Sequence, residues 1–145
     1  MIDQKIWFMV ASDQAATFRW HHILETQEKQ FWSLRKMPRN FKSVHEGDKI
    51  LCYRSGSVQR GIVGLAEVEE AFNDEGIIVR GIREFNHDIP YYEFKHTQVY
   101  QTTEAGRMRN RGTLFAVTED FAHWIKHRLY EKGDETSAML LECTE

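Results

Sequence analysis

The chain has 145 residues and a formal net charge of −3, with 41% hydrophobic, 12% aromatic and 28% charged residues. That suits one domain with a real core, and no apolar run approaches the roughly 18 residues that span a bilayer. The opening "MIDQKIWFMV" carries an acid early and lacks a small-residue cleavage site, so it does not read as a secretory signal, and a cytoplasmic location is the expectation.

In chain order, "IWFMVAS" is β-branched and aromatic and predicts a first strand from Lys5 to Ala11. Ser12, Asp13 and Thr17 are then N-cap candidates, and Phe18, Trp20, Ile23 and Leu24 follow at helical spacing, predicting a helix near 17–26. Pro38 interrupts "WSLRKMPRNFKSV", which reads as a loop. A turn at Glu46-Gly47-Asp48 opens a strand at 49–53, and Ser55-Gly56-Ser57 turns into a second at about 60–71. "GIIVRGIREFNHD" predicts a strand at 76–85, Pro90 opens a loop, and "YYEFKHTQVYQ" has room for a short strand. An exposed basic loop leads into a strand at 113–117.

"TEDFAHWIKHRLYEKG" carries the clearest helix. Thr118 caps it, Glu119 and Asp120 occupy its first turn, Phe121, Trp124, Ile125 and Leu129 make the buried stripe, and Gly133 stops it. The expected organisation is one domain over 1–131 and an acidic tail or linker over 132–145. The fold class expected is α+β: a curled sheet of five to six short strands flanked by helices.

Charge is unevenly spread. Lys29, Arg35, Lys36, Arg39, Lys42, Lys49, Arg54 and Arg60 face only Glu46 and Asp48 over the same stretch. The tail reverses this, with Glu131, Asp134, Glu135, Glu142 and Glu145 against Lys132. A local phosphate-binding face is compatible with the acidic total; indiscriminate coating of nucleic acid is not. Cys52, in the apolar run "KILCY", reads as a small core hydrophobe, and neither it nor Cys143 has a zinc or disulfide spacing. His123 and His127 lie four apart on the last helix without a third ligand, so neither a metal nor a cofactor is expected.

The order of features resembles a known family. "IWFMVASDQAATFRWHHI" resembles the opening of EVE domains, in which a strand ends in a serine and an acid and leads into a Trp-bearing helix. "FWSLRKMPRNFKSVHEGDKILCYRSG" is similar to their continuation, where a Trp precedes a loop and Gly-Asp then opens the next strand. "GIVGLAEV" and "RNRGTLFAVTEDFAHWI" resemble the strand and the closing basic segment, strand and helix. Together they span residues 5–130.

EVE domains belong to the PUA-like superfamily with YTH domains, so the resemblance implies a PUA-like pseudo-barrel. It also implies binding of nucleic acid, modified DNA above RNA, through a methylated or hydroxymethylated base flipped into an aromatic pocket. By that likeness Trp32 corresponds to a cage wall and Ser33 lies next to the base. Phe72 or Trp20 would be the opposing wall. Ser12, Asp13 and Gln14 would meet the base edge, Asp13 being suited to an exocyclic amine. Arg35, Lys36, Arg39, Arg107, Arg109 and Arg111 would hold phosphates. Relatives fused to restriction GTPases imply a fused or associated restriction or nuclease component as a further partner.

Each residue has a plainer reading. Trp7, Trp124 and Trp20 suit a core, Trp32 suits simple loop packing, and Arg107–Arg111 suits a solvated loop. The alternatives in function are a reader of modified RNA and a hydrolase of modified nucleosides like those of the related ASCH group. That group's Gly-x-Lys-x-x-Glu-x-Arg is matched by neither "GLAEVEEAF" nor "GDKILCYR", and no catalytic residues are expected.

Overall fold

Alternation along the first strand decides which side of the sheet each side chain meets. In β1 (Ile6–Ser12), Trp7, Met9 and Ala11 join one buried cluster while Phe8 joins a second, so both faces are covered. The computed structural model describes residues 5–12, 20–33, 40, 43–56, 59–72 and 75–142. The other strands are β2 (Lys29–Ser33), β3 (Lys49–Ser55), β4 (Gly61–Phe72), β5 (Gly76–Pro90) and β6 (Leu114–Ala116). Their order is β2-β5-β4-β3-β1-β6, and β1 runs parallel to β3 while every other pair is antiparallel.

The sheet curls. Register shifts interrupt β3–β4 once and β4–β5 three times, and each such irregularity bends its strand and sharpens the local twist. The inner cluster joins Trp32 near one edge to Leu114 near the other, with Ile50, Val63 and Val79 between. Helix α1 (Trp20–Thr26) supplies Trp20, Ile23 and Leu24 to it. The result is a half-barrel with helices on it, the α+β class expected.

Close approach of α1 depends on two glycines. A Cβ at Gly81 would meet the Ile23 carbonyl oxygen, and one at Gly64 would meet Leu24 Cδ1. Gly81→Ala is therefore expected to displace α1 and cost about 2 kcal/mol of stability. A urea midpoint indistinguishable from wild type would contradict this packing.

Asp48 is the buried carboxylate that ties the strands together at their start. It is 1% exposed and accepts from Trp7 Nε1 at 2.9 Å, from the Lys5 amide at 3.1 Å and from the His45 amide at 2.9 Å. The preceding Gly47 takes φ +89°, a conformation glycine adopts at no steric cost.

The second face carries the remaining helices: α2 (Tyr91–Phe94), α3 (Gln98–Gln101), α4 (Glu104–Arg107), α5 (Glu119–Glu131) and α6 (Glu135–Glu142). Phe94, Tyr100, Phe121, Ile125 and Leu129 pack there on Phe8, Leu51 and Ile62.

Four expectations need correction. Lys29–Ser33 is an edge strand and not the start of a loop; β5 continues to Pro90; "YYEFKHTQVYQ" forms helical turns and not a strand; and 135–142 is helix and not a loose tail. The physical reasons are local. Thr97 and Thr103 accept from the Tyr100 and Gly106 amides, capping α3 and α4. Ala138 and Leu141 bury against the outer cluster, which holds α6 in place. Trp124, expected in the core, is only half-buried at its margin.

Asp134 starts α6. Its carboxylate accepts from the amides of Ser137 and Asn86 at 3.3 and 2.9 Å, from Ser137 Oγ at 2.8 Å and from Arg83 Nη2 at 3.3 Å. Burial alone would push this carboxyl up, but the Asn86 and Ser137 bonds and the Arg83 guanidinium outweigh it and hold it below its ordinary value. A depressed carboxyl stabilises the fold above the unfolded aspartate pKa, about 3.9, and that contribution is lost as pH falls through the lower folded value. Asp134→Asn should therefore lower the neutral melting temperature and flatten its decline in acid. Parallel acid profiles for the two proteins would contradict the assignment.

Candidate nucleic-acid interface

Trp20 opens α1 and is fully buried. Its Nε1 donates to the Tyr53 carbonyl at 2.9 Å, and its ring stacks on Trp32 at 6.0 Å between centroids and 27° between planes. Tyr53 lies on β3 and Trp32 on β2, with two strands between them in the sheet. One indole reaching both shows that the curl brings β2 close to β3. Ser55, two residues beyond Tyr53, pairs with Ser12, so the end of β1 borders the same region.

Trp32 pairs with Ile77, which pairs in turn with Ala71, and all three lie on the inner-cluster side. Trp32 is only 7% exposed. Ser33 and Phe72 both pair with Gly76, one residue further along, so the pleat turns them to the opposite face. Phe72, 38% exposed there, does not face Trp32 and is not its opposing wall. Trp20 is not an opposing wall in this arrangement either. A base between two rings needs planes about 7 Å apart, twice a contact distance of ~3.5 Å, and the two indoles already touch. Trp20 instead backs Trp32 and fixes its orientation.

The basic residues come from two segments far apart in sequence. Arg107 ends α4, and Arg109 and Arg111 follow; all three are exposed. The segment is more ordered than a solvated loop. Arg109 and Asn110 take left-handed φ values of 52° and 59°, the Asn110 amide donates to the Ala105 carbonyl at 2.9 Å, and Asn110 Oδ1 accepts from the Tyr100 hydroxyl at 2.5 Å. Asn40 is held beside it. The Asn40 amide nitrogen donates to Glu104 Oε1 at 2.5 Å and to the Leu114 carbonyl at 3.0 Å. These contacts set residue 40 next to α4 and β6, while Arg35, Lys36 and Arg39 lie outside the described residues. Sequence reasoning missed this bridge, because nothing in "PRNF" announces a partner 64 residues away.

Residues 5–128 match the EVE domain family. The chain belongs to that family. Its solved structural relatives share the fold at low identity. A hypothetical protein from Leishmania major superposes with a TM-score of 0.75 at 16% identity, covering 90% of this chain and 98% of that one. A protein from Pseudomonas putida gives 0.70 at 16% identity, covering 83% and 96%. Human THYN1 protein, solved in complex with DNA containing 5-methylcytosine, gives 0.64 at 16% identity, covering 84% and 95%. No curated protein matches the chain significantly. The curled six-stranded sheet of this EVE domain is thus the PUA-like fold expected.

Of the anticipated site residues, the EVE domain brings Trp20 and Trp32 together and sets the end of β1 beside them. Asp13, Gln14, Arg35, Lys36 and Arg39 lie outside the described residues, as does the side chain of Ser12. His21 and His22 are exposed, His21 against Glu84 at 2.7 Å and Glu25 at 3.2 Å, and His22 against Glu28 at 2.9 Å. Cys52 is fully buried, and burial pushes its thiol well up, away from nucleophilic use.

Proposed function

We propose that this EVE domain binds nucleic acid and reads a modified base, methylated or hydroxymethylated, extruded from its strand against Trp32. The observation that carries the reading is the stacked Trp20–Trp32 pair in the curl of the sheet, with the end of β1 beside it. The complex of human THYN1 protein with 5-methylcytosine DNA supports the same reading.

Extruding a base costs a few kcal/mol. One stacked aromatic returns about 1–3 kcal/mol, and Trp32, braced from behind by Trp20, is the ring assigned to that work. Burying a methyl adds about 0.8 kcal/mol, close to a fourfold preference. The rest of the discrimination falls to polar groups at the base edge. Ser12, Asp13 and Gln14 at the end of β1 are assigned there, the Asp13 carboxylate accepting from an exocyclic amine. Ser33 borders the pocket through the β2 backbone, since the pleat turns its side chain away from Trp32. Arg35, Lys36, Arg39, Arg107, Arg109 and Arg111 hold the phosphates. The domain performs no reaction of its own.

Binding to a panel of DNA and RNA oligonucleotides, each carrying one modified base, tests the reading. One modified strand should bind several-fold more tightly than its plain counterpart; equal affinity across the panel would overturn it. Arg109→Gln should weaken modified and plain strands alike and reduce the slope of log affinity against log salt by about 0.7–0.9, one phosphate contact. A change in base preference would contradict its phosphate role.

A further inference from the structure

A cleft of about 500 Å³ lies outside the tryptophan pair and is lined by Arg60, Asp88, Pro90, Tyr91, Tyr92 and Lys95. Two cations converge on one ring in it. The Arg60 guanidinium carbon stands 5.2 Å from the Tyr91 ring centroid and Lys95 Nζ stands 6.0 Å from it. The cleft's carboxylate, Asp88, is engaged by Arg54 Nη2 at 2.5 Å. Among the described residues, neither Arg60 nor Lys95 is paired with an acid. Two cations gathered at one ring repel each other, and the face of Tyr91 offsets only part of this; an anion bound in the cleft would offset the rest. Tyr92, 73% exposed, leaves a second ring open to solvent at the rim.

The cleft adjoins the proposed interface on two sides. Gly61, next to Arg60, pairs with Arg54 and Pro90, while Ser55, next to Arg54, pairs with Ser12. The Tyr91 ring packs edge-on against Tyr100 at 5.9 Å between centroids, and the Tyr100 hydroxyl donates to Asn110 between Arg109 and Arg111. The cleft is thus built on the same tyrosine network as the basic segment.

We infer that this cleft seats a flanking nucleotide of the bound strand, its phosphate held by Arg60 and Lys95 and its base on Tyr92. The inference rests on the proposed nucleic-acid reading and extends it beyond the modified base. Cations that hold phosphate next to an exposed ring provide the two contacts from which single-stranded sites are assembled, and neither selects a sequence. The cleft therefore contributes affinity and strand direction, and the tryptophan pocket contributes selectivity.

Anisotropy titrations with two 5-methylcytosine oligonucleotides and their plain counterparts test this. One is confined to the modified nucleotide and its immediate neighbours; the other extends to about twelve nucleotides, within the span of a small single-strand-binding fold. Wild type should bind the long strand more tightly. Arg60→Ala/Lys95→Ala and, separately, Tyr92→Ala should each lose about tenfold on the long strand and little on the short one. Their modified-to-plain ratio should match wild type, and the double variant should show a shallower salt dependence. Arg60 and Tyr92 are exposed and Lys95 is half-buried, so only a small cost in stability is expected. Long-strand affinities equal to wild type would overturn the inference. Failure of the base-reading proposal looks different: a wild-type ratio of one with the length gain intact. Should neither strand bind, both fall. Deoxycytidine monophosphate occupying the cleft as tightly as the long strand would mark a free-nucleotide site and overturn the strand assignment.

Discussion

Trp32→Ala is expected to abolish the difference in affinity between a modified and a plain oligonucleotide, while binding to the plain strand persists. The stacked ring supplies about 1–3 kcal/mol of contact with the extruded base, roughly fivefold to hundredfold in affinity. Because Trp32 is buried against Trp20 and Ile77, the substitution also opens a cavity and should cost about 3–5 kcal/mol of stability. Binding is therefore to be read at a temperature where circular dichroism shows the variant folded. Trp32→Phe separates the two effects. It keeps an aromatic face and should restore a good part of the preference, whereas Trp32→Leu restores packing without stacking and should not. A folded Trp32→Leu variant with full preference would show that the indole only packs.

Asp48→Ala should be the most damaging substitution at a polar position. The side chain satisfies the Trp7 indole and the Lys5 and His45 amides in the interior. Each buried donor left without an acceptor costs about 1–3 kcal/mol, so a loss of about 3 kcal/mol or more is expected. For a domain of this size that is a fall of about 10 °C in melting temperature. Asp48→Asn keeps the shape and one carbonyl acceptor, and should fall between the two. A loss below about 1 kcal/mol for Asp48→Ala would mean that water takes over the three bonds. The Gly-Asp pair by which the chain resembles its family thus has a definite structural role, in which the glycine makes the turn and the aspartate locks β1 to β3.

How legible each element was follows from where its signal lies. β1, β3 and β4 were readable because alternating or continuous apolar residues sit between turn residues, and α5 because Thr118, its first-turn acids and its buried stripe all agree. β2 was not, since an edge strand needs only one apolar face and "KQFWS" presents charge and amide beside its single buried ring. The turns α2 to α4 were missed because tyrosines and Val99 favour strands, while the deciding caps, Thr97 and Thr103, are single residues. α6 was missed because acidic residues masked Ala138 and Leu141. At the candidate site, the tryptophans were legible as chemistry but not as geometry. Whether two indoles face each other across a slot or touch is set by the curl of the sheet, which bulges between β4 and β5 determine. The gathering of Arg60 and Lys95 at the Tyr91 ring depends on the same long-range register.

The most direct test is nuclear Overhauser contact between the methyl protons of 5-methylcytosine in a bound oligonucleotide and isotope-labelled side chains of the domain. Cross-peaks to the Trp32 ring, absent for the other bases of the strand, are the predicted result. Cross-peaks confined to arginine and lysine side chains, with the methylated base still stacked in its strand, would contradict the account.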